Sequence, residues 1–267
     1  IIHIFIKSNQ FATSTDKKSL SPLKKTLKMK KTITLLCILL TLFSCGKDLE
    51  PEYFDFGWHY GGEKNDFGNS IATTEDGGYI ICGETKSFGA GGYDIYLLKT
   101  DSEGNELWSK TFGGKRNDYG MSVAITEDGG YIICGFTKSF GAGSFDVYMI
   151  KTDSEGNEIW SKTFGGKETD WGHSVAVTGD EEYIICGETE SFGAEADNVY
   201  LLKTDSEGNE IWSKTFGGAG NDIGYSIAVT EDEEYVICGS SYEEDYNDYR
   251  QITLIKTDSE GNSLFMP

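Results

Sequence analysis

The sequence is poor in histidine, proline and basic residues, and these shortages exclude several classes of function. Three histidines among 267 residues cannot build the histidine-rich sites typical of catalytic zinc. From Cys45 onward the chain has 15 basic and 43 acidic residues, a balance that repels phosphate backbones, so we expect no nucleic-acid partner. No phosphate-binding glycine loop leads into a helix. We therefore expect no cofactor and no bound metal.

Long hydrophobic runs are also missing. The longest apolar stretch, residues 32–43, is too short for a membrane-spanning helix, but it follows Met29-Lys30-Lys31 and has the length of a signal-peptide core. The segment Leu42-Phe43-Ser44-Cys45 resembles the lipobox of bacterial lipoproteins. That resemblance implies cleavage before Cys45 and lipidation of its thiol.

These features divide the N-terminal part of the chain. We predict that residues 1–28 are an upstream or disordered segment, residues 29–44 a lipoprotein signal peptide and residues 45–53 a lipidated tether. The segment Gly46-Lys47-Asp48-Leu49-Glu50 is similar to a tag that sends some lipoproteins to the outer face of Gram-negative bacteria. We therefore expect an outer membrane lipoprotein, on the cell surface or the periplasmic face, that contacts the membrane through its lipid anchor only.

A repeat of 52 residues occupies the rest of the chain, residues 54–267. Trp108, Trp160 and Trp212 are 52 positions apart, and four cysteines keep the same spacing: Cys82, Cys134, Cys186 and Cys238. Equivalent positions of successive repeats lie farther apart than the roughly 4–7 Å between Cα atoms that a disulfide requires. We therefore predict buried free thiols.

Each repeat contains four strand signals separated by short turns rich in glycine and Asx residues. In the unit that starts at Thr111, strands A to D are predicted near residues 120–126, 131–137, 147–152 and 158–164. Strands B and C are apolar on both faces, so each sheet must lie between two others. The predicted fold is an all-β β-propeller with four visible 52-residue, four-stranded antiparallel blades.

The number of blades in the ring has two interpretations. Phe56 and Phe265 stand in the tryptophan position of strand D at the two ends of the array. An entering strand D could complete the fourth blade and close a four-bladed ring, which removes exposed sheet edges. The alternative is a fragment of a larger propeller.

The repeat also resembles known families. The run Trp-Ser-Lys-Thr-Phe-Gly-Gly, then Asn-Asp, then Glu-Asp-Gly-Gly-Tyr-Ile-Ile-Cys-Gly resembles the SBBP-like β-propeller repeats of bacteria and archaea. These repeats are common in secreted and lipid-anchored proteins, mostly without an assigned activity. The turn that starts at Asp153 and ends at Trp160 is similar to the tryptophan-docking motif of quinoprotein-type propellers, which implies blade docking but not the cofactor.

Candidate ligand-binding residues lie where the D–A and B–C connections should emerge, on one face of the disc. One set is invariant and acidic: Asp66, Asp118, Asp170 and Asp222. These carboxylates could form a ring around the channel, or they could fix their own loops. A second set lies in variable positions beside the inner strand: Tyr119, Trp171, His173 and Tyr225. These rings could stack on sugars or hold a peptide, or they could fill space between strands.

Three functions fit this sequence. The main prediction is a monomeric, non-enzymatic binding or interaction scaffold for a protein or glycan at the cell envelope. The first alternative is an envelope hydrolase or lyase that uses carboxylates and His173 on the loop face. The second alternative is a structural or assembly scaffold. The fold by itself does not decide among them.

Overall fold

The protein was analysed as a computed structural model, which describes residues 57–194, 196–242 and 249–264. Within these ranges the chain forms fifteen β-strands, and no helix there is long and apolar enough to cross a membrane. Several predictions concern residues outside the described ranges. They are the three N-terminal segments with the lipidation site Cys45, and the roles of Phe56 and Phe265.

The strands form four antiparallel sheets in chain order, which confirms the β-propeller architecture. Blade 1 contains β1 to β4, blade 2 contains β5 to β8, blade 3 contains β9 to β12 and blade 4 contains β13 to β15. The strands are β1 (Asp66–Thr73), β2 (Tyr79–Thr85), β3 (Asp94–Thr100), β4 (Glu106–Phe112), β5 (Asp118–Ile125), β6 (Tyr131–Thr137), β7 (Asp146–Thr152), β8 (Glu158–Phe164), β9 (Asp170–Val177), β10 (Tyr183–Thr189), β11 (Asn198–Thr204), β12 (Glu210–Phe216), β13 (Ile223–Val229), β14 (Tyr235–Tyr242) and β15 (Arg250–Thr257).

The second strand of each blade alternates between its two neighbours. In blade 2, Tyr131 and Ile133 pack into the core shared with blade 1, whereas Ile132 and Cys134 pack into the core shared with blade 3. This is the period of two that a strand imposes on its side chains. The β-branched and aromatic residues of these strands therefore build three inter-blade cores rather than one central core.

The cysteines follow this packing. Cys82, Cys134 and Cys186 are buried free thiols, as predicted, and each lies in the core shared with the following blade. Burial raises the pKa of the Cys134 thiol well above its usual value, so these side chains act as small hydrophobic groups. Cys238, in blade 4, is exposed.

Glycine turns between the third and fourth strands join one blade to the tryptophan of the preceding blade. Gly156 has a φ of +74°, and a Cβ atom at this residue would lie 2.6 Å from Cζ3 of Trp108. Trp160 and Trp212 lie against Gly208 and Gly261 in the same way. Trp58 lies against Gly104 of blade 1. It is two positions after Phe56, the residue that was predicted to stand in the tryptophan position.

The four blades do not form a closed ring. Blade 4 has three strands among the described residues. The entering segment 54–62 was expected to supply its fourth strand, and the described part of that segment, residues 57–62, is not in any strand. Ile71 on blade 1 and Ile252 and Leu254 on blade 4 are exposed, whereas a closed ring of four would bury these residues between the first and last blades. The prediction of a closed four-bladed ring is therefore wrong for the described chain, which forms an open arc.

Candidate functional site

The invariant aspartates hold the connections on the loop face, which we define as the side where the D–A and B–C connections lie. Asp118 is fully buried and accepts hydrogen bonds from the Thr137 hydroxyl, from Ser139 Oγ at 2.7 Å and from the Gly114 amide at 2.7 Å. Asp170 has equivalent partners in blade 3. These bonds tie each D–A connection to the B–C connection of the same blade.

The other two invariant aspartates also take part in loop contacts. Asp66 accepts from Thr85, Gly62 and Ser87. Burial raises its pKa, but these hydrogen bonds outweigh the burial and lower the pKa to about 2. Asp222 accepts from the Gly218 amide at 2.9 Å. The structure therefore gives the four aspartates a loop-fixing role.

The variable positions beside the inner strands form a continuous row of rings. Tyr119 lies 4.8 Å from Phe136 between ring centroids, and Phe136 stacks on Trp171 at 4.9 Å. Trp171 meets His173 edge to face at 6.2 Å, and His173 lies 5.7 Å from Tyr225. The structure therefore brings Tyr119, Trp171, His173 and Tyr225 together across blades 2, 3 and 4. We call these four side chains and Phe136 the aromatic row.

A buried acid–base pair lies at the end of this row. His173 Nε2 is 3.5 Å from Glu188 Oε1, and the two side chains are 11% and 10% exposed. His173 Nε2, Glu188 Oε2 and Trp171 Nε1 are all buried without a hydrogen-bond partner. Unsatisfied buried polar atoms are costly, and three of them side by side are typical of a site that gains its partners from a ligand or water.

Blade 3 departs from the other blades around this pair. In blades 1 and 2 a lysine lies over an aromatic ring beside the third strand: Lys86 over Tyr93 and Lys138 over Phe145. In blade 3 the same two positions, 52 residues after Lys138 and Phe145, hold Glu190 and Asp197. A cation and a ring are thus replaced by two carboxyl groups.

The electrostatics of Asp197 follow from this replacement. Burial raises the pKa of Asp197, and the negative charges of Glu188 and Glu190, together with a hydrogen bond to Glu190, raise it further, against a smaller lowering by Arg250. Carboxyl groups this close to each other disfavour simultaneous ionisation. We call Glu188, Glu190 and Asp197 the carboxylate cluster.

Blade 4 contributes a cation and a cleft. Arg250 Nη1 lies 3.3 Å from the Tyr225 hydroxyl, which places the guanidinium beside the end of the aromatic row. A cleft of about 560 Å³ opens between blades 3 and 4, lined by residues that include Val199, Gly217 and Asp222. The Asp222 amide donates to the Asp197 carbonyl oxygen at 2.8 Å, which joins the backbone at one wall of the cleft to the backbone of Asp197. The volume of the cleft lies in the range of small-molecule sites.

The sequence predicted four residues of the aromatic row, Tyr119, Trp171, His173 and Tyr225, but not the carboxylate cluster or Arg250. A comparison of the repeats position by position contains the signal. Glu188 stands where blade 2 has Phe136, and Asp197 stands where blades 1 and 2 have Tyr93 and Phe145. Glu84 in blade 1 matches Glu188, but its partner is Asn69, whose amide lies 2.5 Å from the carboxylate. The glutamate at this position is therefore paired with a histidine in blade 3 and with an asparagine in blade 1.

This arrangement can carry out acid–base chemistry. A carboxyl group with a raised pKa can donate a proton near neutral pH, and an ionised neighbour can accept one. The part of the chain that the structure describes contains no cluster of three or more His, Cys, Asp or Glu side chains arranged to hold a metal ion.

Comparison with known proteins gives weak likenesses. No family model matches the chain. It is 26% identical over 195 residues to the regulatory protein FlaEY of Caulobacter vibrioides. The match covers 64% of this chain and 20% of that protein. The chain thus spans about a fifth of the length of this curated relative.

Two similar solved structures are arabinanases. The endo-1,5-α-L-arabinanase of Thermotoga petrophila has a TM-score of 0.44 at 13% identity, over 74% of this chain and 58% of that one. The exo-1,5-α-L-arabinanase from a bovine ruminal metagenomic library has a TM-score of 0.39 at 11% identity, over 74% of this chain and 77% of that one. At these identities the likeness concerns the fold, and it transfers no substrate to this chain.

These findings correct the main functional prediction. The sequence was expected to encode a protein that is not an enzyme and acts as a non-enzymatic binding scaffold. The described chain instead places the pair His173 and Glu188 beside further carboxyl groups. The non-enzymatic prediction is therefore not retained, and the hydrolase or lyase alternative becomes the proposal.

Proposed function

We propose that this chain is a hydrolase that acts on glycans at the loop face, where blades 3 and 4 meet. The observation that carries the proposal is the buried pair of His173 and Glu188, with unsatisfied polar atoms on both side chains. Unsatisfied buried polar atoms on a histidine and a glutamate are typical of a site that takes its partners from a ligand or water. The nearby Asp197 supplies a second carboxyl group with a raised pKa.

Each group takes a defined role in this proposal. Asp197 is the acid in this proposal: burial and the neighbouring carboxylates raise its pKa, and it donates a proton to the bridging oxygen as the carbon–oxygen bond breaks. Glu188 accepts a proton from the attacking water. His173 positions Glu188, since its ring lies 3.5 Å from the carboxylate. One carboxyl group that donates a proton and a second that accepts one are the usual pair for glycoside hydrolysis.

The surroundings suit a sugar more than an apolar substrate. The Tyr225 ring is 50% exposed at the end of the aromatic row, so it offers an open face on which a pyranose or furanose ring can stack. Arg250 lies beside the Tyr225 hydroxyl and can donate to substrate hydroxyl or carboxylate oxygens. The cleft of about 560 Å³ lies at the same junction of blades 3 and 4.

Turnover assays on variants of the carboxylate cluster test this function. The assay measures reducing ends released from bacterial envelope polysaccharides and nitrophenol released from a panel of nitrophenyl glycosides. Glu188→Gln and Asp197→Asn should each lower kcat by about 100-fold or more, because each removes one proton transfer. The His173→Asn variant should lower kcat with a smaller change in KM, because His173 positions the base.

The repeat offers a matched control for these variants. Glu84→Gln changes the same position in blade 1, where the partner is Asn69, and should leave kcat unchanged. The proposal is contradicted if the wild-type chain releases no product from any of these substrates, or if Glu188→Gln and Glu84→Gln have equal activity while both melt at the wild-type temperature.

We also propose that this enzyme is an outer membrane lipoprotein of the SBBP-like type. The support is the lipobox resemblance at Leu42-Phe43-Ser44-Cys45 and the repeat sequence that follows it. Cys45→Ala should release the protein from the membrane fraction of the producing cell, because a single thiol carries the anchor. Ser44→Ala keeps a small residue before the cysteine and serves as the control. Membrane retention of the Cys45→Ala protein would remove the support for lipidation.

A further inference from the structure

The two ends of the arc expose residues that every internal blade buries. Val123, Val175 and Ile227 are at most 8% exposed, whereas Ile71, the equivalent residue of blade 1, is 62% exposed. On blade 4, Ile252 and Leu254 are 89% and 56% exposed. Their equivalents in blade 3, Val199 and Leu201, are buried in the core shared with blade 4.

These exposed residues belong to two complementary faces. We define the leading face of a blade as the one that packs on the preceding blade; in blade 1 it includes Ile71, Tyr79 and Ile81. The trailing face packs on the following blade; in blade 4 it includes Val236, Cys238, Ile252 and Leu254. The three internal junctions each join one trailing face to one leading face.

We propose that two copies of this chain associate head to tail, with the trailing face of blade 4 in one copy packed on the leading face of blade 1 in the other. Two such contacts close a ring of eight blades. The contact repeats the junction that neighbouring blades already form three times within one molecule. These three internal junctions show its shape and its apolar character. An exposed apolar surface rimmed by polar residues is typical of an interaction site.

A second copy fits these faces better than an unrelated partner. Each face needs the complementary half of one repeat junction, and a second molecule of the same chain carries both halves. A heterologous contact of this kind forms a closed ring when the rotation between copies closes, and a filament when it does not. Since the chain has a net charge of −21, association should become tighter when salt screens the repulsion between copies.

Light scattering coupled to size exclusion tests the proposal on the full chain. We expect a mass twice that of one chain, with a dimer fraction that rises with ionic strength. Ile71→Lys and Leu254→Lys should each shift the protein to the monomer mass, because either lysine places a charge in both junctions of the ring. Ile159→Lys is the control, because Ile159 is 57% exposed on the outer strand β8 of blade 2 and lies outside the junctions.

Mixing the two variants distinguishes this contact from a symmetric one. In a pair of one Ile71→Lys and one Leu254→Lys molecule, one junction carries both substitutions and the other is wild type. The mixture should therefore recover dimer that neither variant forms alone. A symmetric dimer through blade 1 alone would be insensitive to Leu254→Lys, and that result would overturn the proposal.

Cys238 provides a readout that needs no substitution. It is exposed in the single chain. The proposed contact covers it, in the same way that the following blades cover Cys82, Cys134 and Cys186. Labelling with a thiol reagent, located by peptide mass, should be slower at Cys238 in the wild-type dimer than in Leu254→Lys by about tenfold or more, because labelling then requires opening of the junction. A wild-type monomer, a filament, or fast labelling of Cys238 within a dimer would each contradict the two-copy ring.

The test separates this inference from the proposed function. The carboxylate cluster lies at the internal junction of blades 3 and 4, away from Ile71 and Leu254. Loss of the dimer in these variants should leave the folded monomer measurable by its melting transition, and failure of the glycan assay would not alter the mass measurement.

Discussion

At the scale of single residues, glycines at equal backbone angles have different roles in the blades. Gly129 and Gly156 have φ values of +76° and +74°, so any other residue at either position is strained. A Cβ atom at Gly129 would meet nothing within 4 Å, whereas one at Gly156 would lie 2.6 Å from Trp108 of the preceding blade. The first glycine serves only its turn, and the second also lets two blades approach.

This difference predicts unequal effects of alanine. Gly129→Ala should lower the free energy of unfolding by about 1–2 kcal/mol, the cost of a left-handed alanine. Gly156→Ala should cost about 1–3 kcal/mol more, because the methyl group displaces the Trp108 ring from a packed contact. Urea unfolding followed by tryptophan fluorescence measures both, and equal losses in the two variants would show that the turn does not contribute to docking.

At the scale of strands and turns, the period of the repeat predicted the fold well. Strands B and D of the second blade, residues 131–137 and 158–164, were predicted with the bounds of β6 and β8. Strands A and C begin one or two residues before the prediction, at Asp118 and Asp146. The prediction placed those two aspartates in the preceding loops. A pattern of hydrophobic residues does not show the hydrogen bonds that hold a charged residue at the start of a strand.

The site was harder to predict than the strands, because its residues are exceptions to the repeat. Glu188 and Asp197 are distant in sequence from His173 and become neighbours through strand pairing and blade packing. The A–B turns show a similar variation: blades 1 and 2 have Gly77 and Gly129, whereas blades 3 and 4 have Glu181 and Glu233 at φ values of 59° and 58°. Invariant positions thus reveal the scaffold, and their exceptions must be compared blade by blade to reveal chemistry.

At the scale of the whole molecule, blade packing and charge act on stability in opposite directions. Three inter-blade cores hold the arc together, whereas a net charge of −21 produces repulsion that acidification would relieve. Many carboxylates nevertheless stabilise the fold in their ionised form. Hydrogen bonds within the turns lower the pKa values of four aspartates: Asp101, Asp153, Asp205 and Asp258. The pKa of Asp76 is lowered mainly by a hydrogen bond from Lys99, and further by bonds from Thr74 and Gly78.

The balance of these effects gives a prediction for stability in acid. Burial raises the pKa of Asp128, but hydrogen bonds from Lys151, Thr126 and Gly130 and the Lys151 charge lower it to about 2, and Asp66 is also at about 2. An unfolded aspartate titrates near pH 4. The stabilisation by these groups is therefore fully present above about pH 4 and is lost as the pH falls through about 2.

The urea midpoint should accordingly decrease between about pH 4 and about pH 2, despite the relief of repulsion, because bonded carboxylates must take up protons to unfold. The Asp128→Asn variant isolates one contribution, since its side chain cannot ionise. It should be less stable than the wild type above about pH 4, and the gap should close as the pH approaches about 2. Asp128 is 56% exposed, so solvent screening keeps the gap small. A gap that stays constant over this range would mean that the Asp128 charge does not contribute to stability and that the amide disturbs the turn in some other way.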